Sequence, residues 1–208
     1  GHAMKSVVVF ISSVLIAASV WANDMAPDVL IKSVSAEVLE IVRADKDIQS
    51  GNAKKAADLV EKKVAPNFDF VHMTRLALGR DWRQASPEQQ KALANEFQTL
   101  LVRTYSKALT EYKNQTIDVK PLILKAGDTD VKVRSEIKQP GAKSIQLDYY
   151  LQKNNASWKI YDIEVAGISL VTNYRESFAS EVRNSGIDGL LKSLQTKNKS
   201  GDTVAFKK

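Results

Sequence analysis

The side chains able to do chemistry in this sequence are few. Apart from His2, the one histidine is His72, set between Val71 and Met73, and the 208 residues contain no cysteine. A zinc site needs several His, Cys or carboxylate ligands at set spacings, and nucleophilic catalysis needs a nucleophile beside its base. A lone histidine in an apolar setting supplies neither and reads as structural. There is no Gly-rich phosphate loop, P-loop or Gly-x-Ser-x-Gly elbow. Carboxylate chemistry remains, because general acid catalysis can run on two acids alone. Asp162 and Glu164 are two residues apart, so on a strand they share a face, and Asp148 precedes the Tyr149-Tyr150 pair of a neighbouring strand. Inside a pocket, burial would raise one pKa of such a pair. On the outer side of a sheet the same residues are ordinary solvated charges.

The elements that would position these acids begin after an export signal. Gly1-His2-Ala3 reads as a tag remnant ahead of Met4. Lys5, the apolar run Val7 to Ala18 and the small-residue site Val20-Trp21-Ala22 then follow in the order of a secretory signal, with cleavage before Asn23. The run is shorter than the ~20 apolar residues of a membrane span. Residues 1–22 are therefore assigned to tag and signal, 23–198 to a single domain, and 199–208 to a disordered tail. Without cysteine, an exported chain of this length must rest on its own packing. The formal charge is +6, or +5 without Lys5 (29 basic against 24 acidic residues), and the signs are interspersed. Export and mixed charge argue against nucleic acid as a partner.

Leu30, Val34, Val38, Ile41 and Val42 recur at helical spacing from Pro27 to about Ala44. A second helix ends at Pro66, and a third, short one carries Met73, Leu76 and Leu78 up to Gly79. Ser86-Pro87 with Gln89 is a capping-box start. From there an apolar stripe through Leu93, Phe97, Leu100, Leu101, Tyr105, Leu109 and Tyr112 predicts one helix of roughly 40 Å.

After Asn114 the period changes to two. Four strands are expected: Ile117 to Lys125, with Pro121 marking an edge or bulge; Val131 to Ile137; Ile145 to Leu151; and Trp158 to Val165. In the fourth the alternation slips, which predicts a bulge near Tyr161 that curls the sheet. The apolar piece Ile168-Ser169-Leu170-Val171 precedes two helices, Asn173 to Arg183 and Ile187 to Thr196. The fold class is α+β, a curved antiparallel sheet of about four strands packed against helices. A bent sheet over a long helix makes a cone, and the periodicity leaves open whether that cone is filled or hollow.

Several stretches resemble the MlaC family of periplasmic phospholipid-binding, or toluene-tolerance, proteins. They are Leu76 through Gln90 (LALGRDWRQASPEQQ), Phe97 through Leu109 with its LLVRTY, Val131 through Ser135 (VKVRS), LDYYL at Leu147–Leu151, WKIYD at Trp158–Asp162, and GISLVTNYR at Gly167–Arg175. Their order matches, and together they cover nearly the whole mature chain. Glu176-Ser177 after Asn-Tyr-Arg is a small departure.

The resemblance implies a hollow cone like that of nuclear transport factor 2, with a lipid-sized apolar pocket and no enzymatic activity or cofactor, phospholipid being the cargo. It implies a monomeric periplasmic shuttle between an outer-membrane lipoprotein–porin complex and an inner-membrane ABC transporter carrying an MCE-domain protein, which together maintain outer-membrane lipid asymmetry. The candidate acyl wall is then Phe97, Leu100, Leu101, Tyr105 and Leu109 of the long helix; Val133, Ile145, Leu147, Tyr149, Trp158, Ile160, Tyr161 and Val165 of the sheet; and Ile168, Leu170, Val171 and Tyr174 beyond it. Arg80, Arg103, Arg134 and Arg175 are candidates for head-group contact or partner docking. Two alternatives use the same cone: a pocket enzyme built on Asp162 or Glu164 with His72, and a periplasmic chaperone for unfolded chains.

Overall fold

Pro27 opens the first helix of the computed structural model, which describes residues 25–201; the expected signal segment lies outside them. A proline suits the first helical position because its missing N–H would have had no partner there. Helix α1 (Pro27–Ala44) ends at Asp45, whose carboxylate accepts from the N–H groups of Asp47 and Ile48 and so caps the single turn α2 (Lys46–Gln49). Asn52 caps α3 (Ala53–Lys63) and Asp69 caps α4 (Phe70–Leu78) in the same way. The Ser86–Gln89 capping box starts α5 (Pro87–Ser106).

Helix α5 is shorter than the apolar stripe predicts. At Lys107 the chain tightens into a 3₁₀ segment that runs to Glu111. The tighter winding brings Leu109 to the interior, while Tyr112 accepts a hydrogen bond from Arg43 Nε at 2.8 Å.

The sheet has five antiparallel strands in sequence order: β1 (Thr116–Val119), β2 (Asp130–Lys138), β3 (Ile145–Asn154), β4 (Ser157–Val165) and β5 (Ile168–Ser169). The fifth, not expected, is the start of the Ile168–Val171 piece, which pairs through Ile168 with Val165 and through Ser169 with Glu164. Strand β1 stops before Pro121, which cannot donate to a ladder. The chain there bends toward α1 instead, and the Leu122 N–H donates to Asp28 Oδ2 at 3.1 Å.

The bulge falls at Tyr161. Tyr150 opposes Asp162 and Leu151 opposes Ile160, so Tyr161 is the extra residue. The insertion restores Ile163 and Val165 to the face already occupied by Trp158 and Ile160, the face of their partners Leu147, Tyr149 and Leu151. The apparent slip in alternation thus keeps one apolar face continuous along the strand.

Beyond a 3₁₀ turn at Thr172–Tyr174, α6 (Arg175–Ser200) is broken by Gly186, whose φ of 71° and ψ of −175° interrupt the helix where two separate helices are expected. Lys199 and Ser200, expected in the tail, are still helical; residues 202–208 lie outside those described.

Three apolar clusters hold these layers together. The largest joins α4, α5 and α6: Phe97 meets the rings of Tyr174 and Phe178 edge-on at 5.2 and 5.3 Å, with Leu93, Leu100, Val171 and Leu190 around them. A second places Ile31 of α1 against Val133, Leu151, Trp158 and Ile160 of the sheet. The third joins α1, α2 and α3 through Val38, Val42, Ile48 and Ala56. At the edge of β4, the Asp69 N–H donates to the Ile160 carbonyl at 2.8 Å and fixes the entry to α4. Among the described residues no helix is long and apolar enough to cross a membrane.

Candidate apolar binding cavity

Where α1 and α5 face the sheet, the interior is hollow. One chamber, about 180 Å³, lies beneath α1 and is walled by Leu30, Ile31, Val34 and Leu39 on one side and by Ile117, Ile160 and Ile163 on the other. A second, about 330 Å³, separates α5 from the sheet. Leu101, Val102 and Tyr105 form its helical side, Leu147 and Val165 its sheet side, and Met73, Phe70 and Leu170 close one end. Val38, Val64, Phe68, Leu109, Tyr149 and Ile163 border both chambers, which therefore adjoin.

The local sequence accounts for the shape. Residues 147, 149, 163 and 165 reach the chamber because the Tyr161 bulge keeps them on one face. Phe68 reaches it because the Pro66 turn and the bridge to Ile160 pin the segment between α3 and α4 to β4.

Among the described residues, no Asp, Glu, Lys, Arg or His lines either chamber. The polar groups are Ser35, Asn67, Tyr105, Ser106 and Tyr149. The Asn67 amide is already engaged by the carbonyls of Lys63 and Val64. Burial pushes the Tyr149 hydroxyl above the usual phenol range, partly opposed by Ser35. The Tyr105 hydroxyl is pushed up by burial too, with Tyr174 adding to the effect. Both phenols stay neutral at ordinary pH. Such a cavity can bury hydrocarbon.

Eight of the wall residues inferred from sequence line the cavity: Leu101, Tyr105, Leu109, Leu147, Tyr149, Ile160, Val165 and Leu170. Nine do not. Phe97, Leu100, Val171 and Tyr174 are locked in the solid cluster between α5 and α6. Val133 and Trp158 pack in the sheet–α1 cluster. Ile145 is half-buried at the start of β3, opposite Ile137, and Ile168 is 53% exposed on β5. Tyr161, pushed out by its bulge, stacks on His72 at 4.4 Å and donates from its hydroxyl to Asp130 at 2.6 Å.

The wall residues missed from sequence are mainly Val34, Val38, Val64, Phe68, Met73 and Ile163. The apolar stripe of α1 was the only signal for the first two, and it identifies a buried face without saying what that face meets.

The acids lie elsewhere. Asp162 pairs with Tyr150 and Glu164 with Asp148, on the sheet face opposite to Ile163 and Val165. Asp162 accepts from the Ser169 hydroxyl at 2.5 Å and from the Ile163 and Val171 N–H groups, and so holds β5 and the following turn against β4. Burial raises its pKa despite these bonds. Glu164 accepts from the Tyr150 hydroxyl, and Asp148, 3% exposed, faces Lys132 at 3.5 Å. The His72 pKa is lowered, chiefly by burial.

Two of the four arginines make hydrogen bonds within the fold. Arg103 donates to the Lys197 carbonyl and Asn198, and Arg175 to the Leu76 carbonyl at 2.8 Å through Nη2. Arg80 and Arg134 are exposed. No group of three or more metal-ligating side chains occurs among the described residues.

Comparison with known proteins agrees with this architecture. The family model described as MlaC protein matches residues 32–196. The chain is 28% identical over 177 residues to the intermembrane phospholipid transport system binding protein MlaC of Haemophilus influenzae, covering 79% of this chain and 83% of that one. It is 26% identical over 164 residues to the toluene tolerance protein ttg2D of Pseudomonas putida, covering 78% and 75%. A solved structure of the phospholipid-binding protein from Ralstonia solanacearum, in complex with a phospholipid, superposes with a TM-score of 0.77 at 37% identity, covering 85% of this chain and 99% of that one. With the matched segment running from within α1 into the second half of α6, the chain belongs to the MlaC protein family.

Proposed function

We propose that this protein is a periplasmic phospholipid carrier that holds acyl chains in the two adjoining chambers and performs no chemistry of its own. The observation that carries the proposal is an uncharged apolar cavity between α1, α5 and the sheet, in a fold shared with a relative solved in complex with a phospholipid. Residues 23–198 act as one lipid-binding unit. Burying acyl chains is worth ~0.8 kcal/mol per methylene, so two chains of ordinary length amount to on the order of 20 kcal/mol. A lipid cannot cross an aqueous compartment unaided against that term. A carrier must match the burial and leave the head group wet, and an uncharged apolar cavity supplies the burial. The phospholipid transport role in the name of the Haemophilus influenzae relative supports the same reading.

In this account the protein shuttles, as a monomer, between an outer-membrane lipoprotein–porin complex and an inner-membrane ABC transporter with an MCE-domain subunit. ATP is spent at the transporter. Asp162 and Glu164 point away from the cavity, which removes the acid pair on which a pocket enzyme would depend. The test is organic-solvent extraction of the purified protein followed by lipid mass spectrometry, with uptake from liposomes as a second arm. Phospholipid in near-stoichiometric amount is expected; bare protein that also takes nothing from liposomes contradicts the proposal.

A further inference from the structure

The six large apolar side chains most exposed among the described residues are Met25, Val29, Val71, Ile123, Leu124 and Ile168, and two of them, Ile123 and Leu124, are neighbours on one loop. Met25 and Val29 flank the start of α1. Ile123 (86% exposed) and Leu124 are on the loop between β1 and β2, and the Leu122–Asp28 hydrogen bond fastens that loop to α1. The loop is held in other ways too: the Lys120 N–H donates to the Arg134 carbonyl, and Asp128 closes a turn back onto Lys125. An apolar tip held out in water by a braced loop is not explained by the packing of this chain.

Cations line a groove on one side of the tip, while Asp28 and Asp128 brace the loop through its backbone N–H groups. Lys120 and Lys125 bracket it in sequence, and a groove beside it is lined by Lys120, Lys132 and Arg134 together with Pro121, Leu122 and Ile123. Lys120 is partly neutralised by Asp118 and Lys132 by Asp148, whereas Lys125 and Arg134 make no ion pair among the described residues. Apolar tips between lysines that can snorkel suit a boundary between hydrocarbon and anionic head groups. The tip also joins the cavity wall. Leu122 and Leu30 pack against the same cluster around Ile31, and Leu30 and Ile31 line the chamber beneath α1.

We infer that the loop Lys120–Lys125, with Met25 and Val29, docks this protein on an anionic phospholipid bilayer: Ile123 and Leu124 enter the head-group boundary, and Lys125 and Arg134 meet lipid phosphates. The inference rests on the carrier reading and adds a surface to it.

Because the chain has no cysteine, single labels can be placed cleanly. An environment-sensitive fluorophore is attached to Ile123→Cys and, on the opposite side of the sheet order, to Ser177→Cys of α6. Each protein is titrated with vesicles of phosphatidylcholine alone or with a large fraction of phosphatidylglycerol. The expected result is a blue shift at position 123 with the anionic vesicles, weakened by salt, and none at 177. Changing Lys125 and Arg134 together to Gln is expected to weaken vesicle binding about thirtyfold.

No shift at 123 with either vesicle, or an equal shift at 177, overturns the inference. Self-association abolished by Ile123→Asp overturns it as well, because it would assign the patch to a second copy. Lipid extraction from the same preparations separates the two claims. Loaded protein with an unshifted label sinks only the docking surface; bare protein with a shifted label sinks only the carrier reading.

Discussion

Two stretches of α5, before and after Leu100, do different work with similar residues. As far as Leu100 it sends Leu93, Phe97 and Leu100 into a solid core, where the rings of Tyr174 and Phe178 pack edge-on against Phe97. From Leu101 onward it sends Leu101, Val102 and Tyr105 toward a chamber whose far wall is the sheet, Leu101 standing at the boundary with one side still on the core cluster. What differs is the partner. Opposite the first stretch, Tyr174 of the 3₁₀ turn and Phe178 of the kinked α6 fill the gap. Opposite the second lies a curved sheet whose side chains on that face, such as Leu147 and Val165, do not reach across. Apolar surface left without protein partners loses dispersion contacts, and a guest that restores those contacts is bound for that reason.

Substitutions that treat the two regions alike should separate them. The largest effect is expected from Val171→Glu, which places a charge at a site with no solvent exposure and should cost several kcal/mol and prevent folding. Circular dichroism would check this; a native spectrum would mean the region is less solid than its packing indicates. Next, Phe97→Ala should cost about 3–5 kcal/mol by leaving a void in a rigid core, read as a lower denaturation midpoint. Leu147→Glu should act in the opposite sense. It lies on the chamber wall and is half-buried, so the fold should survive while the extracted protein carries no phospholipid. Full loading of Leu147→Glu would erase the distinction between filled and hollow regions.

The smallest effect concerns Asp162, which seals β5 beside the solid region. Its pKa is raised above the ordinary 3.8 by burial, so the folded state keeps the proton to higher pH than the unfolded chain does. Ionisation therefore costs stability, a cost absent below 3.8 and complete once the pH exceeds the raised value. Denaturation of Asp162→Asn across this range should show its stability relative to the parent improving as pH rises; a declining difference would contradict the assignment.

Much of the frame was legible because local chemistry dictated it. The Ser86–Gln89 box fixed the start of α5, and Gly186 marked the break in α6. The alternation slip at Tyr161 located the bulge, which follows from the period-two geometry of a strand. The end of α5 was not legible, because Leu109 and Tyr112 keep an apolar spacing that a 3₁₀ turn satisfies as well as an α-helix. The division between wall and plug was not legible either. Phe97 and Leu101 belong to one stripe four residues apart, and only the packing of α6 over the first and the sheet's distance from the second separate them. Val34 and Phe68 were missed for the same reason, since a period reports that a face is buried and not what it faces.

The most direct test of the account is crystallographic. Protein loaded with a phospholipid brominated in its acyl chains should show anomalous bromine peaks in the space bounded by Leu101, Tyr149 and Ile163. Peaks confined to the outer surface, with side chains closing that space, would contradict it.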